Sequence, residues 1–159
     1  MKQQDKTNVM RVLDQKKIPY RSYYYEADGH TTGAEVASRL GQDPERVLKT
    51  LVTVAKSGQH YVFVIPVEAE LDLKKAAAAV SEKAVSMIPQ KELLPLTGYV
   101  HGGCSPIGMK KPFPTVLDSS AEAFETICFS AGRIGAQVEA APKDLQKIIK
   151  VRFADVTTA

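Results

Sequence analysis

Cysteine, histidine and long apolar runs are all scarce in this 159-residue chain. Its two cysteines, Cys104 and Cys128, are too few for a disulfide framework and lack the spacing of a Cys-x-x-Cys motif. No apolar run approaches the roughly 20 residues that a membrane-spanning helix requires, and no charged-then-apolar leader opens the chain. These absences exclude a disulfide-stapled or membrane-inserted protein and predict a cytoplasmic one.

The sequence also lacks the residue spacing typical of a metal site and the large net charge typical of a protein that binds a strongly charged partner. His30, His60 and His101 are isolated and form no His-x-x-x-His pair, so we expect no metal and no cofactor. The formal net charge is +3, from 21 Lys and Arg residues against 18 Asp and Glu residues. Such a small excess permits a polyanionic partner without requiring one.

The composition is that of one globular domain with a core of its own. Hydrophobic residues make up 44% of the chain and charged residues 25%. A chain of this length buries roughly two thirds of its unfolded surface, so we expect a single domain over residues 1–159. Strands interspersed with helices, without strict β-α-β alternation, favour an α+β domain with a mixed sheet.

Local signals place the elements of this domain. Helices are predicted to begin near Thr7, at the Thr32/Glu35 capping box, at Asp72 and near Pro142, the last with Leu145, Ile148 and Ile149 on one face. Strands are predicted at 21–26, in a hairpin of 47–55 and 60–67, and at 85–88, 115–117, 126–129 and 136–139. Alternation in the first strand puts Tyr23 and Tyr25 on one face and Tyr24 on the other, which makes one face a candidate pocket wall.

Residues 99–114 form a loop rich in Gly, Pro, Ser and Lys, a composition typical of surface loops that carry function. Gly102 and Gly103 leave its backbone uncovered, which suits an oxyanion or phosphate cradle and equally an ordinary turn. His101 and Cys104 are three residues apart, so a thiol activated by an imidazole is an alternative to a packed, unreactive cysteine.

Lys49 is the most unusual charge in the sequence, because it lies inside the apolar run from Val47 to Val52. A lysine there is either solvated at a strand edge or directed into an interior cavity with a phosphate or carboxylate partner. The pattern alone favours neither arrangement.

The order and spacing of several motifs resemble the YbaK/EbsC family across nearly the whole chain. The motifs are Arg46-Val47-Leu48-Lys49-Thr50-Leu51, Leu71-Asp72-Leu73-Lys74-Lys75, Gly98-Tyr99, the run from Gly102 to Lys111, and Ser130-Ala131-Gly132-Arg133. This family is similar to the editing domain inserted in bacterial prolyl-tRNA synthetases, and its free-standing members clear mischarged tRNA in trans. The likeness is closest to the Cys-tRNA(Pro) deacylase branch.

The resemblance implies a compact domain with a mixed, mainly antiparallel sheet, partly barrel-like and surrounded by helices. It also implies that Lys49 and Gly102 are catalytic, because Lys49 would hold the terminal adenosine and Gly102 would polarise the ester carbonyl. The substrate-binding residues that it implies are Tyr23, Gly103, Pro106, Ser130 and Gln137.

The implied activity is deacylation of mischarged tRNA(Pro), above all Cys-tRNA(Pro), with the thiol of the substrate or a water attacking the ester. Aminoacyl-tRNA is the implied partner and prolyl-tRNA synthetase a further candidate, whereas no DNA or membrane partner is expected. Ala131, Ile134 and Gln137 depart from the family pattern. These departures leave open another specificity, such as Ala-tRNA(Pro), or a module that binds tRNA or the synthetase without turnover, and a Cys104-dependent hydrolase of another ester is a further alternative.

Overall fold

Four α-helices and eight β-strands are present in residues 6–28 and 30–158, the part of the chain that the computed structural model describes. The helices are α1 (Asn8–Gln15), α2 (Gly33–Leu40), α3 (Leu73–Ala79) and α4 (Leu93–Thr97). The strands are β1 (Arg21–Tyr24), β2 (Leu48–Ala55), β3 (His60–Pro66), β4 (Val85–Met87), β5 (Thr115–Asp118), β6 (Ile127–Ser130), β7 (Ala136–Ala140) and β8 (Val151–Ala154). Short 3₁₀ helices cover Pro44–Arg46, Gln90–Glu92, Ser119–Ala123 and Pro142–Lys147. None of the helices described here has the length and apolar content to cross a bilayer.

The strands form two sheets, and the predicted α+β class is confirmed. The smaller sheet is antiparallel in the order β1-β7-β6, and the larger is mixed in the order β4-β2-β3-β5-β8. In the larger sheet, β2 and β3 form the predicted antiparallel hairpin, whereas β3/β5 and β5/β8 run parallel. A single parallel bridge between Val47 and Cys128 joins the edges of the two sheets. The described strands leave both sheets open, so the domain is not a closed barrel.

The main core lies between the two sheets and α1. It contains Leu13 of α1, Val64 of β3 and Phe129 of β6, all of them buried. The opposite face of the larger sheet is covered by α3, whose Ala76 packs in a second cluster with Phe63. Residues 62–65 of β3 are buried on both faces of the sheet, which explains their uninterrupted apolar sequence.

Side-chain caps set the helix ends as the sequence predicts. The Thr7 hydroxyl accepts a hydrogen bond from the first turn of α1, and the Asp72 carboxylate accepts two from the first turn of α3. At α2, Thr32 and Glu35 make both hydrogen bonds of the capping box, and Gly41 ends the helix in the left-handed region at φ 65°. The start of α2, which lines the site described below, is therefore firmly held.

The C-terminal segment differs from the prediction of a helix that carries Leu145, Ile148 and Ile149 on one face. Pro142–Lys147 is a 3₁₀ helix, and Ile148 and Ile149 lie beyond its end. The next residues, Val151–Ala154, form β8, an edge strand parallel to β5 that the sequence pattern does not predict. Pairing with β5 requires an extended chain from Val151 onward, so this tertiary contact overrides the local helical spacing.

Candidate active site

A cavity of about 590 Å³ opens where the two sheets meet, a volume in the usual range of small-molecule sites. Its walls come from β2, the start of α2, residues 87–93, the glycine-rich loop and the β6–β7 turn. The side chains and backbone that line it include Tyr25, Thr32, Val47, Lys49, Thr50, Ile88, His101, Gly102, Cys104, Ser130, Ile134 and Gln137.

Strand β2 contributes an edge to this cavity that no described strand covers. Its other edge pairs with β3 from Leu48 to Val54, whereas β4 pairs only with Thr53 to Ala55. Between the bridge at Val47 and the start of β4, the edge of β2 borders the cavity. A bound ligand therefore meets main-chain groups of β2 as well as side chains.

Lys49 brings a cation to the cavity wall. Its side chain is half-buried, and its ammonium group makes no hydrogen bond or ion pair with any residue that the structure describes. Burial lowers the pKa of this ammonium group, and the Glu70 carboxylate acts in the opposite direction. A partly desolvated cation of this kind favours a ligand that supplies oxygen acceptors.

The glycine-rich loop brings bare backbone to the wall of the same cavity. Gly102 lines the wall at φ 90°, a conformation that glycine adopts without strain. A Cβ at the buried Gly103 would lie 3.0 Å from the backbone of Arg133, so this glycine allows the loop to pack against the β6–β7 turn. Pro106 is buried in the same loop, and the Tyr99 hydroxyl donates to a main-chain carbonyl there at 2.5 Å.

Cys104 and His101 both line the cavity, but they do not form an activated pair. Cys104 is 9% exposed, and burial raises the pKa of its thiol to about 12, although a hydrogen bond with Thr97 acts in the opposite direction. His101 is exposed, and no hydrogen bond joins it to Cys104 in the described structure. At neutral pH Cys104 is a packed thiol and not a thiolate nucleophile.

Ser130, at the end of β6, and Gln137, near the start of β7, are directly opposite each other and line the cavity. Gln137 is 2% exposed, and its amide pairs with the amide of Gln42 through two hydrogen bonds of 2.7 and 3.0 Å. The Ser130 hydroxyl accepts a hydrogen bond of 3.1 Å from the Gly132 N–H. Internal hydrogen bonds thus hold both uncharged side chains in place.

Tyr25, two residues beyond the predicted Tyr23, is the tyrosine that lines the cavity. As alternation predicts, Tyr24 lies on the other face of the strand, where its hydroxyl contacts Met10 Sδ at 3.7 Å. The Tyr23 hydroxyl instead donates to Glu139 Oε1 at 2.5 Å. Burial raises the pKa of Tyr25, so its hydroxyl is neutral in the physiological range.

A partly buried ion pair lies next to Tyr23, outside the cavity lining. Arg46 pairs with Glu139, and it also donates from Nε to the main-chain carbonyl of Thr126 at 3.2 Å. Burial by itself would raise the pKa of Glu139, but hydrogen bonds from Thr126, Tyr23 and Arg46 outweigh it, and the pKa is lowered. The network ties the 3₁₀ helix before β2 to the smaller sheet.

The sequence profile of the family described as "Aminoacyl-tRNA editing domain" matches residues 26–148, a range that includes Lys49, Gly102, Ser130 and Gln137. The chain belongs to this editing-domain family. The resemblance to the YbaK/EbsC family is thereby confirmed at the level of the family, on a profile match that covers most of the chain.

Two relatives of this editing domain match nearly its whole length, and a third matches about half of it. The Enterococcus faecalis (strain ATCC 700802 / V583) protein named "Putative Cys-tRNA(Pro)/Cys-tRNA(Cys) deacylase EbsC" is 46% identical over 158 residues, which are 99% of this chain and 96% of that protein. A crystal structure described as "a putative trans-editing enzyme for prolyl tRNA synthetase" superimposes with a TM-score of 0.82 at 26% identity, covering 95% of each chain. A proline–tRNA ligase from Pelobacter propionicus is 29% identical over 85 residues, 54% of this chain and 15% of the ligase.

The predicted site residues of the editing domain fall into two groups. Lys49, Gly102, Ser130 and Gln137 line one cavity. The predicted residues outside the lining are Gly103 and Pro106, buried within the glycine-rich loop, and Tyr23, which belongs to the Glu139 network. Sequence reasoning missed Gln42, for which the sequence carries no signal, and Thr50, which directly follows Lys49 in the motif at residues 46–51.

Proposed function

We propose that this protein is a trans-editing deacylase that cleaves the aminoacyl ester of Cys-tRNA(Pro). Family membership and the relative that is 46% identical over 99% of the chain support this activity. The structural observation that carries the proposal is the cavity that combines the unpartnered Lys49 ammonium group with the backbone of Gly102. Because an aminoacyl ester is already reactive, positioning it and polarising its carbonyl are sufficient for catalysis.

Lys49 and Gly102 bind different parts of the substrate in this proposal. The Lys49 ammonium group binds a phosphate or ribose oxygen of the terminal adenosine, which supplies the acceptor that the protein does not. Backbone N–H groups of the loop at Gly102 donate to the ester carbonyl oxygen, where negative charge develops during the reaction. Ser130 and Gln137 bound the space for the amino-acid side chain.

The nucleophile comes from the substrate. The cysteinyl thiol loses its proton, and its sulfur attacks the carbonyl carbon of the same ester, so that a C–S bond forms. The tetrahedral intermediate collapses, the C–O bond to the ribose breaks, and the ribose oxygen takes up a proton equivalent to the one that the thiol released. The products are uncharged tRNA and a cysteine thiolactone, and no oxidant or reductant is consumed. The protein's own Cys104, with its pKa of about 12, does not compete for this role.

We also propose that the enzyme acts on tRNA(Pro) released from prolyl-tRNA synthetase in the cytoplasm. The structural relative described as a trans-editing enzyme for that synthetase and the partial match to a proline–tRNA ligase support this placement. An editing enzyme that acts in trans meets its substrate outside the synthetase, so in this proposal it binds the tRNA as well as the ester. Exposed lysines provide the sequence-independent part of that binding.

Deacylation of purified Cys-tRNA(Pro), Ala-tRNA(Pro) and Pro-tRNA(Pro) tests the proposal directly. We expect rapid loss of cysteine, a much slower loss of alanine and no loss of proline above the spontaneous rate. Similar rates on the cysteinyl and alanyl esters would contradict attack by the substrate thiol and indicate an activated water. Binding of tRNA without turnover of any of the three esters would contradict the enzymatic function.

A further inference from the structure

The hydroxyl of Thr50 is buried in the cavity without a partner. Thr50 follows Lys49 on β2 and lines the same cavity. Its Oγ1 is the only buried side-chain nitrogen or oxygen in the described part of the chain that lacks a hydrogen-bond partner. A buried unpaired hydroxyl destabilises the free protein, so its presence in a ligand cavity points to a partner that the ligand supplies.

The main chain of Thr50 presents further hydrogen-bonding groups at the same place. In an antiparallel pair, alternate residues direct both their N–H and C=O groups toward the partner strand. On β2 these are the odd-numbered residues: the Val47 carbonyl accepts from the Val67 N–H at 2.9 Å, and the Ala55 N–H donates to the Gln59 carbonyl at 2.8 Å. Thr50 has the opposite parity, so its N–H and C=O groups point away from β3 toward the uncovered edge.

Thr50 belongs to the enclosed part of the cavity. Leu48 and Val52, which share its face of β2, are 4% and 2% exposed. Val52, like Thr50, directs its main-chain groups away from β3. Two residues beyond Thr50 on that edge of β2, the Val52 carbonyl accepts a hydrogen bond from the Ile88 N–H at 3.3 Å. Gly102, which lines the same cavity, is exposed. A small aminoacyl group fits the enclosed part, whereas the larger nucleotide needs the open one.

We propose that Thr50 binds the α-amino group of the aminoacyl ester through its hydroxyl and its main-chain carbonyl. The α-amino group is the N–H donor common to aminoacyl esters, and Thr50 offers two acceptor oxygens that nothing described in the protein uses. Successive side chains point to opposite faces of a strand, so Thr50 and Lys49 serve different parts of the substrate. This assignment rests on the proposed deacylase function and adds a substrate-binding residue to it.

The pair Thr50→Val and Thr50→Ser tests the assignment. Valine keeps the branched shape and removes the hydroxyl, whereas serine keeps the hydroxyl and removes the methyl group. On Cys-tRNA(Pro) we expect Thr50→Val to lower kcat/KM about tenfold, the value of one substrate hydrogen bond, and Thr50→Ser to stay within about twofold of the wild type. The melting temperature of Thr50→Val should equal or exceed that of the wild type, because the variant removes an unpaired buried hydroxyl.

3-Mercaptopropionyl-tRNA(Pro), the cysteinyl ester without its α-amino group, identifies the substrate group that Thr50 binds. This ester keeps the thiol and lacks the N–H donor, so the wild type and Thr50→Val should react with it at the same rate. Equal rates of the two proteins on Cys-tRNA(Pro), or the same tenfold gap on the ester without the amino group, would overturn the assignment. A loss in Thr50→Ser as large as that in Thr50→Val would also overturn it, because packing of the methyl group would then be responsible. A wild-type protein inactive on every ester would refute the proposed function itself, which distinguishes the two failures.

Discussion

Replacement of Cys104 by alanine separates a protein nucleophile from a substrate nucleophile. Burial raises the pKa of the Cys104 thiol from its ordinary value of 9.0 to about 12. At pH 7 about one molecule in 10⁵ then carries the thiolate, against roughly one in 10² for an unperturbed thiol. Burial therefore suppresses the reactive form about 10³-fold. We expect Cys104→Ala to retain deacylation of Cys-tRNA(Pro) within about tenfold.

Gly102→Val is the contrasting variant, and Gly58→Val is its matched control. Both glycines have positive φ, 90° and 92°, so a valine introduces similar backbone strain of about 1–2 kcal/mol at either site. Gly58 lies in the β2–β3 turn with open space around it, whereas a Cβ on Gly102 would lie 3.5 Å from Ile134 Cγ1 at the cavity wall. We expect Gly102→Val to lower activity at least 100-fold and Gly58→Val to leave it nearly unchanged.

The assay is the first-order rate of Cys-tRNA(Pro) deacylation under single-turnover conditions, with circular dichroism and thermal melts on each variant. Truncation of the largely buried Cys104 side chain costs about 1 kcal/mol of folding free energy, too little to unfold the domain. A folded Cys104→Ala protein that has lost more than 100-fold in rate would refute the argument from burial and restore Cys104 as the nucleophile. Full activity in Gly102→Val would refute the role of the loop backbone.

Lys49→Ala should abolish deacylation without unfolding the protein, because the partly desolvated charge of Lys49 acts on the substrate and the apolar neighbours of Lys49 hold the strand. Turnover and circular dichroism are measured beside the control variant Lys56→Ala, which changes an exposed lysine in a turn. Activity of Lys49→Ala within a few-fold of the wild type would remove Lys49 from the site. Glu139→Gln should cost about 2 kcal/mol at pH 7. The pKa of Glu139 in the folded protein lies below its ordinary 4.5, so the extra stability of the wild type is present above about pH 4.5 and disappears as the pH falls through the lowered pKa. Denaturant unfolding at pH 7 and pH 3 measures the difference in unfolding free energy between the wild type and Glu139→Gln. A difference that grows in acid would contradict this pH dependence. Affinity for tRNA(Pro) should fall steeply with salt in a plot of log K against log salt, since lysine–phosphate contacts supply its sequence-independent part, and a flat plot would indicate recognition of the ester alone.

The sequence by itself determined the local elements and the residue types of the site. Capping residues such as Thr32, Glu35 and Asp72 hydrogen-bond the helix turn that directly follows them, so their effect can be predicted from neighbouring positions. The β2–β3 hairpin follows for the same reason, from two β-rich runs separated by a short turn. A charge inside an apolar run and a glycine-rich loop are also local patterns, and they single out Lys49 and Gly102, but the expected roles of these two residues came from the resemblance to the family.

The tertiary structure alone decided which of these groups meet and which are free to react. Whether Tyr23 or Tyr25 faces the cavity depends on where the Glu139 network lies, 116 residues along the chain from Tyr23. The strand β8 exists because β5 offers it an edge, and β2 borders the cavity because β4 pairs with only part of its length. The buried, unpaired state of the Thr50 hydroxyl follows from that arrangement. Burial and pairing depend on contacts between residues distant in the chain, whereas propensity and periodicity report only on neighbours.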